Sequence, residues 1–427
     1  MYIVFGVIIG ILILMLLVVA HEFGHFIMAR KNGVTVKEFG VGFPPRMIAW
    51  VKKPVEVNKD GKKITQSKWT KIPKSDWDKP QKSLILSLNF LPIGGFCSMD
   101  GESDADTRKG TLGAATFWQK TKILFGGVLM NWLVAAILLT VLAFTGMPQF
   151  LKGQFYLKND AVVSGSGVTV AKVMEGSPAE RAGFRYGDQI ISVGDVEVMT
   201  PNDVTDYNAL HRGERVIYRV RSNAQEGDMQ CTVADCKMED GTYYEHELEA
   251  ELNPVDAEYS LGIQMSFGQT FVRSTWSAPI VGVGTTLQLT SETFKSLGQL
   301  VWNLVSGAVS QFSFDSSVRE SGQVAIGSAG DSVSGPVGII GVIFPAFASS
   351  GLRNLAFLTA LISVSLACMN VLPIPALDGG RWLMIAIARL RGKKLKKETE
   401  EKIVSTAFMI IIGLAIIISI LDIIRLF

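Results

Sequence analysis

The chain is poor in the residues that mark several common protein classes. It has 4 cysteines and 4 histidines among 427 residues, and its formal net charge is only +2. Four cysteines are too few for a disulfide-stabilised scaffold. A charge near zero gives no general attraction to nucleic acid, so we expect no nucleic-acid partner. No lysine or arginine precedes Arg30, which argues against reading the first apolar run as a cleaved signal peptide.

Apolar residues are abundant instead, at 48% of the chain. Residues 1–29, 123–145 and 403–424 each form a run long enough to cross a bilayer. A fourth run, 355–380, contains Asn370, Pro373 and Pro375, and we interpret it as a span that is broken near its end. The sequence therefore predicts a polytopic α-helical membrane protein with four transmembrane helices and contacts to the lipid bilayer.

The distribution of charge orients these spans. Residues 30–122 hold 18 Lys/Arg against 9 Asp/Glu, residues 389–402 hold 7 against 3, and residues 146–354 hold 14 against 24. Basic loops remain in the cytosol. We therefore expect both termini outside the cytoplasm and a large acidic extracytoplasmic region.

The segments between the spans have distinct compositions. The predicted order begins with a cytoplasmic, membrane-associated β-hairpin region at 30–122, which includes a polar insertion at 52–83. A linker at 146–167 and a folded domain at 168–254 follow. Extracytoplasmic amphipathic helices and a loop are expected at 255–354, and a basic cytoplasmic loop at 381–402. Strands are expected at 34–51 and 84–99, with a turn at Asp60-Gly61. Residues 328–338 are expected to form a loop.

The segment 168–254 contains a recognisable pattern. Its motif residues are Gly176, Ser177, Pro178, Ala179, Ala182, Gly183, Gly187, Asp188, Ile190 and Ile191. They resemble an α+β PDZ domain of the type found in bacterial membrane proteases. The resemblance implies a groove that takes a peptide or the outer segment of a substrate. Cys231 and Cys236 lie in the same region, where either a disulfide or two separate thiols would fit.

The most informative motif is HEFGH, at 21–25. On a helix, His21 and His25 lie one turn apart on one face, so both imidazoles can bind one zinc ion. Glu22 can then act as general base toward water on that metal. Ionisable residues in an apolar span are costly and are usually functional. The alternative, two histidines satisfied within a core, does not explain the glutamate.

A catalytic zinc site needs a third protein ligand and one open position. Asp378, in the sequence NVLPIPALDGG, lies at the cytosolic end of the broken span. The charge pattern places Asp378, His21 and His25 in the same cytosolic half of the membrane. We therefore predict Asp378 as the third ligand.

Together, HEFGH and NVLPIPALDGG resemble the site-2 protease family of intramembrane zinc metalloproteases, in particular the bacterial branch with a PDZ domain that cleaves anti-sigma factors. Gly95, Asn131 and the SGPVG sequence at 334–338 match further family motifs in the same order. Two departures stand out: Gly127-Val128 replaces a frequent Gly-Pro, and only one PDZ copy is present.

The resemblance implies a role for each matching residue. It implies one catalytic zinc held by His21, His25 and Asp378, with Glu22 activating water. Substrate would be bound by Asn370, Pro373 and Pro375, and by the hairpin at Gly94 and Gly95, which would take an extended substrate by strand addition. Its implied substrates are single-span membrane proteins, namely anti-sigma factors after a first cut or remnant signal peptides.

Three other functions deserve comparison. A zincin with a glutamate as third ligand leaves the LDGG segment unexplained. A PDZ-bearing membrane scaffold or pseudoprotease without peptidase activity would not need Glu22. A transporter is disfavoured because we find no internal repeat.

Overall fold

The computed structural model describes residues 2–59, 62–77, 83–151, 153–164, 167–198, 200–223, 237–239, 243–257, 259–267, 270–312, 315–331, 335–392 and 395–426. The chain forms two compact units, one from Met1–Val141 with Gly282–Phe427, and one from Leu142–Val281. The Asp60-Gly61 turn, Cys231, Cys236 and Ser334 lie outside the described residues.

The first unit begins with two long apolar helices and a sheet between them. Its elements are α1 (Tyr2–Lys31), β1 (Val36–Lys59), β2 (Lys62–Lys71), β3 (Ile85–Met99) and α2 (Phe117–Thr145). The helices α1 and α2 have mean hydropathies of 3.3 and 2.3 over their most apolar windows. Many of their large apolar side chains are exposed, an arrangement that suits lipid and not water.

The sheet has the order β2-β1-β3. The segment 38–41 of β1 pairs both with 85–88 and with 95–98, so it lies between the two ends of β3. The polar insertion predicted at 52–83 is largely strand, because β1 continues to Lys59 and then pairs with β2. Buried Ala29, Val36, Cys97 and Ile123 join the sheet to α1 and α2.

The second unit is built from short strands and two helices. Its elements are β4 (Met147–Pro148), β5 (Val162–Ser164), β6 (Val168–Val173), α3 (Pro178–Ala182), β7 (Gln189–Val193), β8 (Val196–Glu197), α4 (Pro201–Leu210), β9 (Arg215–Asn223), β10 (Lys237–Glu239), β11 (Tyr243–Glu251), β12 (Ile263–Phe267) and β13 (Phe271–Arg273). The larger sheet has the order β10-β11-β9-β7-β6-β12, and β8 pairs with β7. Its core is centred on buried Val170, Ile190 and Tyr218.

Two boundaries in this unit differ from the predicted ones. The domain predicted to end at 254 continues to Phe267, because β12 forms the sheet edge next to β6. The predicted linker 146–167 contributes β4 and β5, which both pair with β13. These strands are two or three residues long and have partners more than a hundred positions away, so local sequence patterns do not reveal them.

The rest of the chain is helical. Its elements are α5 (Ala278–Ser310), α6 (Ser316–Asp331), α7 (Pro336–Gly338), a π-helical turn (Ile339–Ile343), α8 (Phe344–Ser349), α9 (Leu352–Val371), α10 (Asp378–Leu390) and α11 (Lys397–Leu426). Among the described residues, α1, α2, α9 and α11 are the helices long and apolar enough to span a membrane, in agreement with the four predicted spans.

Three predictions about this part are corrected. Residues 328–331 and 336–338 are helical, not part of a loop, since α6 continues to Asp331 and Pro336 occupies the first turn of α7. The third span ends at Val371, before the prolines. The predicted basic loop 381–402 begins as helix α10.

Glycines let α1 approach its neighbours closely. A Cβ atom at Gly10 would lie 2.7 Å from the Phe344 ring, and one at Gly24 would lie 2.2 Å from the Gly126 carbonyl oxygen. Both distances are too short for any side chain. The close contacts therefore fix α1, which carries HEFGH, directly against α2.

A buried ion pair fixes the loop that precedes α2. Lys120 pairs with Asp104, and its Nζ also donates to the Gly113 carbonyl oxygen at 2.9 Å. Both charged side chains are buried. Removing one partner would leave the other charge without compensation.

We expect Lys120→Met to lower the free energy of unfolding of the first unit by about 3 kcal/mol, because it leaves Asp104 buried and unpaired. Unfolding in detergent micelles measures this loss. The double variant Lys120→Met/Asp104→Leu should recover most of it. A single variant as stable as the unsubstituted protein would contradict the assignment.

Candidate metal centre

Helix α1 presents two imidazoles to one point. His21 and His25 are four residues apart on one helical face, and they are 7% and 6% exposed. Their Nε2 atoms lie 3.1 Å apart. Neither ring faces bulk water, so groups of the protein or a bound metal must satisfy the polar nitrogen atoms of both imidazoles.

A break in the chain between α9 and α10 supplies a carboxylate. Leu372 is extended beyond the end of α9, as expected for a residue before Pro373, which also lacks an N–H donor. Two tight turns follow, closed by bonds from Ile374 N to Leu372 O and from Leu377 N to Ile374 O, both 2.8 Å. Asp378 is then the first residue of α10, not the last of the span.

Close packing holds α10 in this place. A Cβ atom at Gly379 would lie 2.1 Å from the Val371 carbonyl oxygen, and one at Gly380 would lie 2.0 Å from that of Ile374. Both glycines therefore serve the turn itself. Arg381 bonds the Glu102 carbonyl oxygen, and Trp382 Nε1 donates to Thr121 Oγ1 on α2 at 2.9 Å.

The three side chains form a small triangle. Asp378 Oδ2 lies 3.1 Å from His21 Nε2 and 3.3 Å from His25 Nε2. Tetrahedral zinc with bonds of about 2.0–2.1 Å requires its ligand atoms to be about 3.3 Å apart. The spacing therefore fits one zinc ion, and in the described part of the chain this is the cluster of such groups close enough to hold a metal.

Neighbouring groups orient the imidazoles. The Ile123 carbonyl oxygen lies 2.8 Å from His25 Nδ1, so it accepts the Nδ1–H and leaves Nε2 for the metal. Asn131 Nδ2 lies 3.4 Å from His21 Nδ1, while the buried Asn131 Oδ1 has no hydrogen-bond partner. Rotating this amide by half a turn would give a metal-bound His21 an acceptor for its Nδ1–H.

Glu22 lies beside the triangle without joining it. Its carboxylate accepts a hydrogen bond from the backbone N–H of Cys97 on β3 and interacts electrostatically with His21, His25 and Asp378. The strand thus holds the acid beside the three ligands. A position close to the metal without ligating it is the one that a general base requires.

The residues predicted to bind substrate differ in their contacts and in their exposure. A Cβ atom at Gly94 would lie 3.3 Å from Val18 on α1, and one at Gly95 would lie 3.1 Å from Val19, so β3 runs along the helix just before His21. Asn370 Nδ2 donates to the Leu366 carbonyl oxygen of its own helix at 3.0 Å. Pro373 is exposed and Pro375 is half-buried.

A cavity of about 990 Å³ opens beside Asp378. Pro375 and Asp378 line one side, and charged residues that include Glu102, Arg381 and Glu400 line another. A cavity of this size with charged groups in its lining can carry water to the Asp378 carboxylate.

Gly127 is a functional position that sequence reasoning missed. A Cβ atom there would lie 2.6 Å from Nε2 of both His21 and His25. In the sequence, Gly127 stands out only because Gly127-Val128 departs from the family's frequent Gly-Pro. Its physical reason, clearance for two metal ligands on another helix, becomes visible only once α1 and α2 pack together.

We expect Gly127→Ala to weaken zinc binding about tenfold or more, because the methyl group displaces both imidazoles. Competition with a chromophoric chelator measures the affinity. Gly413→Ala is the matched control, since a Cβ there meets nothing within 4 Å. Equal zinc affinities for the two variants would contradict this reading of Gly127.

Comparisons with known proteins agree with this site. The model described as Peptidase family M50 matches residues 9–58 and 77–414. A protein of Clostridium perfringens, whose name assigns it provisionally to the zinc metalloproteases, is 26% identical over 424 residues, which is 99% of each chain. The zinc metalloprotease RasP of Oceanobacillus iheyensis is 25% identical over 472 residues, with 98% of each chain covered.

The family match covers most of the chain, including the segments that carry His21, His25 and Asp378. The chain has four helices suited to a bilayer and a three-ligand cluster with zinc geometry. It belongs to peptidase family M50, the site-2 protease family, as a membrane zinc metalloprotease with zinc as its cofactor.

Proposed function

We propose that this metalloprotease hydrolyses peptide bonds in or beside the transmembrane segment of single-span membrane proteins. The observation that carries the proposal is the position of the ligand triangle. His21 and His25 lie within the apolar helix α1, and Asp378 begins α10 just beyond the turns that follow the apolar helix α9. A site with this setting is suited to substrates that are themselves in the bilayer.

The proposed roles follow from the geometry. A zinc ion held by His21, His25 and Asp378 would lower the pKa of a bound water and polarise the scissile carbonyl. Glu22 accepts a proton from the attacking water as a C–O bond forms at that carbonyl carbon. It then delivers the proton to the departing nitrogen as the C–N bond breaks, giving a carboxylic acid and an amine. His21, His25 and Asp378 are the three ligands. Hydrogen bonds orient the two imidazoles, and the tight turn before α10 holds the carboxylate.

Substrate presentation would use the edge of β3. Residues 95–98 pair with 38–41 on one side, and among the described residues no strand pairs with their other side. A substrate helix must unwind before its carbonyl groups become accessible. An extended segment could then add to this edge near Gly94 and Gly95, which would satisfy its freed backbone groups. Asn370, Pro373 and Pro375 would contact the same segment near the metal.

The charge distribution supports an orientation in the bacterial cytoplasmic membrane. With 30–122 and 381–402 in the cytosol, both termini lie outside and the metal centre lies toward the cytoplasmic half. The second unit is then extracytoplasmic.

The second unit would act as a PDZ domain that filters substrates. A cavity of about 270 Å³ lies between α4 and the edge strand β12, with the loop 259–262 at one end. An edge strand beside a helix is where PDZ domains bind peptides. A filter that excludes bulky outer domains needs no specific ligand. It would admit substrates without such a domain, which favours anti-sigma factors after a first cut and remnant signal peptides.

We expect Glu22→Gln to reduce cleavage of a reporter span about 100-fold or more, because it removes the general base. The assay uses pure protein in detergent, with and without a zinc chelator. Glu292→Gln, which breaks an exposed pair with Lys295, is the matched control and should cleave normally. Cleavage that survives both Glu22→Gln and the chelator would rule out the proposal.

Deletion of 168–267, the whole larger sheet, should allow cleavage of substrates that still carry a bulky outer domain. The physical reason is removal of a steric barrier. Cleavage of full-length and truncated reporters by intact and deleted proteins measures the effect. Loss of all cleavage with unchanged zinc affinity would instead indicate capture of the substrate by this unit.

A further inference from the structure

One strand of the first unit lies outside the region that family M50 shares. The family model matches 9–58 and 77–414, so β2 falls in the gap. β2 pairs with the second half of β1 through ten residue pairs, from Trp50 with Lys71 to Lys59 with Lys62. The shared peptidase chemistry therefore gives no reason for this strand.

The ribbon of β1 and β2 has an unusual exposed face. Trp50 and Lys52 are two residues apart and thus share a face, and their partners across the ribbon are Lys71 and Trp69. Rings and ammonium groups therefore alternate in a two-by-two arrangement, called here the tryptophan–lysine patch. Trp50 is 36% and Trp69 is 42% exposed, and both lysines are exposed.

The opposite face of the ribbon is anchored. Val51 packs with buried Ala49, Ile72 and Ile85. Arg46 Nη1 donates to the Trp77 carbonyl oxygen at 2.6 Å and so holds the segment after β2 in place. The patch therefore points outward because its reverse side is part of a core.

On the face of the sheet that carries the patch, the side chains become apolar toward the tip of the sheet. Leu86 and Leu88 on β3 lie on the face of Trp50, and the sheet tip beyond them exposes Phe90 and Leu91. Lys52 is five residues from Met47 at the tip, about 16 Å along an extended strand. Half the hydrocarbon layer of a bilayer is about 15 Å thick. A tip near the middle of the hydrocarbon thus leaves Lys52 at headgroup depth. Lys71, level with Trp50 and about 10 Å from the tip, reaches the same depth with its long side chain.

We infer that the tryptophan–lysine patch binds anionic lipid headgroups of the cytosolic leaflet. Tryptophan rings favour the membrane interface, and lysines near an anionic leaflet are attracted to it. Neither Lys52 nor Lys71 pairs with a carboxylate among the described side chains. The inference rests on the cytosolic placement in the proposed function, but it requires no peptidase activity.

The test uses the full chain with Glu22→Gln, which does not consume substrate. It is reconstituted in nanodiscs of phosphatidylcholine with about 30 mol% phosphatidylglycerol, to supply an anionic surface. Either the phosphatidylglycerol or the phosphatidylcholine is brominated, and the total bromine content of the nanodiscs is kept equal. The emission of Trp69 is obtained as the difference from Trp69→Phe, and Trp50→Phe provides a second measurement if that variant does not fold.

We expect brominated phosphatidylglycerol to quench Trp69 about twofold more than brominated phosphatidylcholine, because the lysines enrich the anionic lipid locally. Lys52→Gln/Lys71→Gln should abolish this difference. The control Lys158→Gln/Lys172→Gln removes the same charge from exposed positions of the second unit and should keep it.

Two results would overturn the inference. Equal quenching by both lipids would mean that the rings touch the bilayer without selecting headgroups. No quenching by either would mean that the patch faces water or a protein, such as an acidic segment of a substrate. Because the protein tested is inactive by design, neither result depends on whether the proposed peptidase activity is correct.

Discussion

The convergence of two imidazoles from an apolar helix and one carboxylate from the start of α10 is the constraint on which the rest of the first unit depends. Asp378 and His21 are 357 positions apart, yet their ligand atoms lie 3.1 Å from each other. Charged groups are expensive away from water unless they are paired or coordinate a metal. The close glycine contacts of α1 with α2, the turn before α10 and the anchoring of Arg381 all serve to hold these three atoms together.

The same architecture joins the metal centre to a strand. Cys97 of β3 holds Glu22 through its backbone, and Gly94 and Gly95 bring the strand against α1 just before the first histidine. The proposed general base, Glu22, and the strand edge proposed to receive a substrate are therefore fixed by one contact between a helix and a sheet. A change that moved β3 would disturb proton transfer and substrate placement together.

Features farther from the metal are not required for peptidase chemistry as such. β2 lies in a stretch that the family match omits, and it builds a face of aromatic and cationic side chains on a sheet whose tip is apolar. The second unit has its own sheets and its own core. Both suit tasks such as positioning in the membrane and selecting substrates.

The sequence by itself determined the features that depend on local periodicity or on the thickness of a bilayer. Span length follows from hydrophobic thickness, and the i, i+4 spacing of His21 and His25 follows from helix geometry. It also indicated Asp378, because a zinc site with two histidines lacks a ligand. Only the tertiary structure decided that Gly127 gives the imidazoles clearance, that Asn131 faces His21, and that β2 and β12 are sheet edges. These depend on contacts between segments far apart in the chain, which no local pattern encodes.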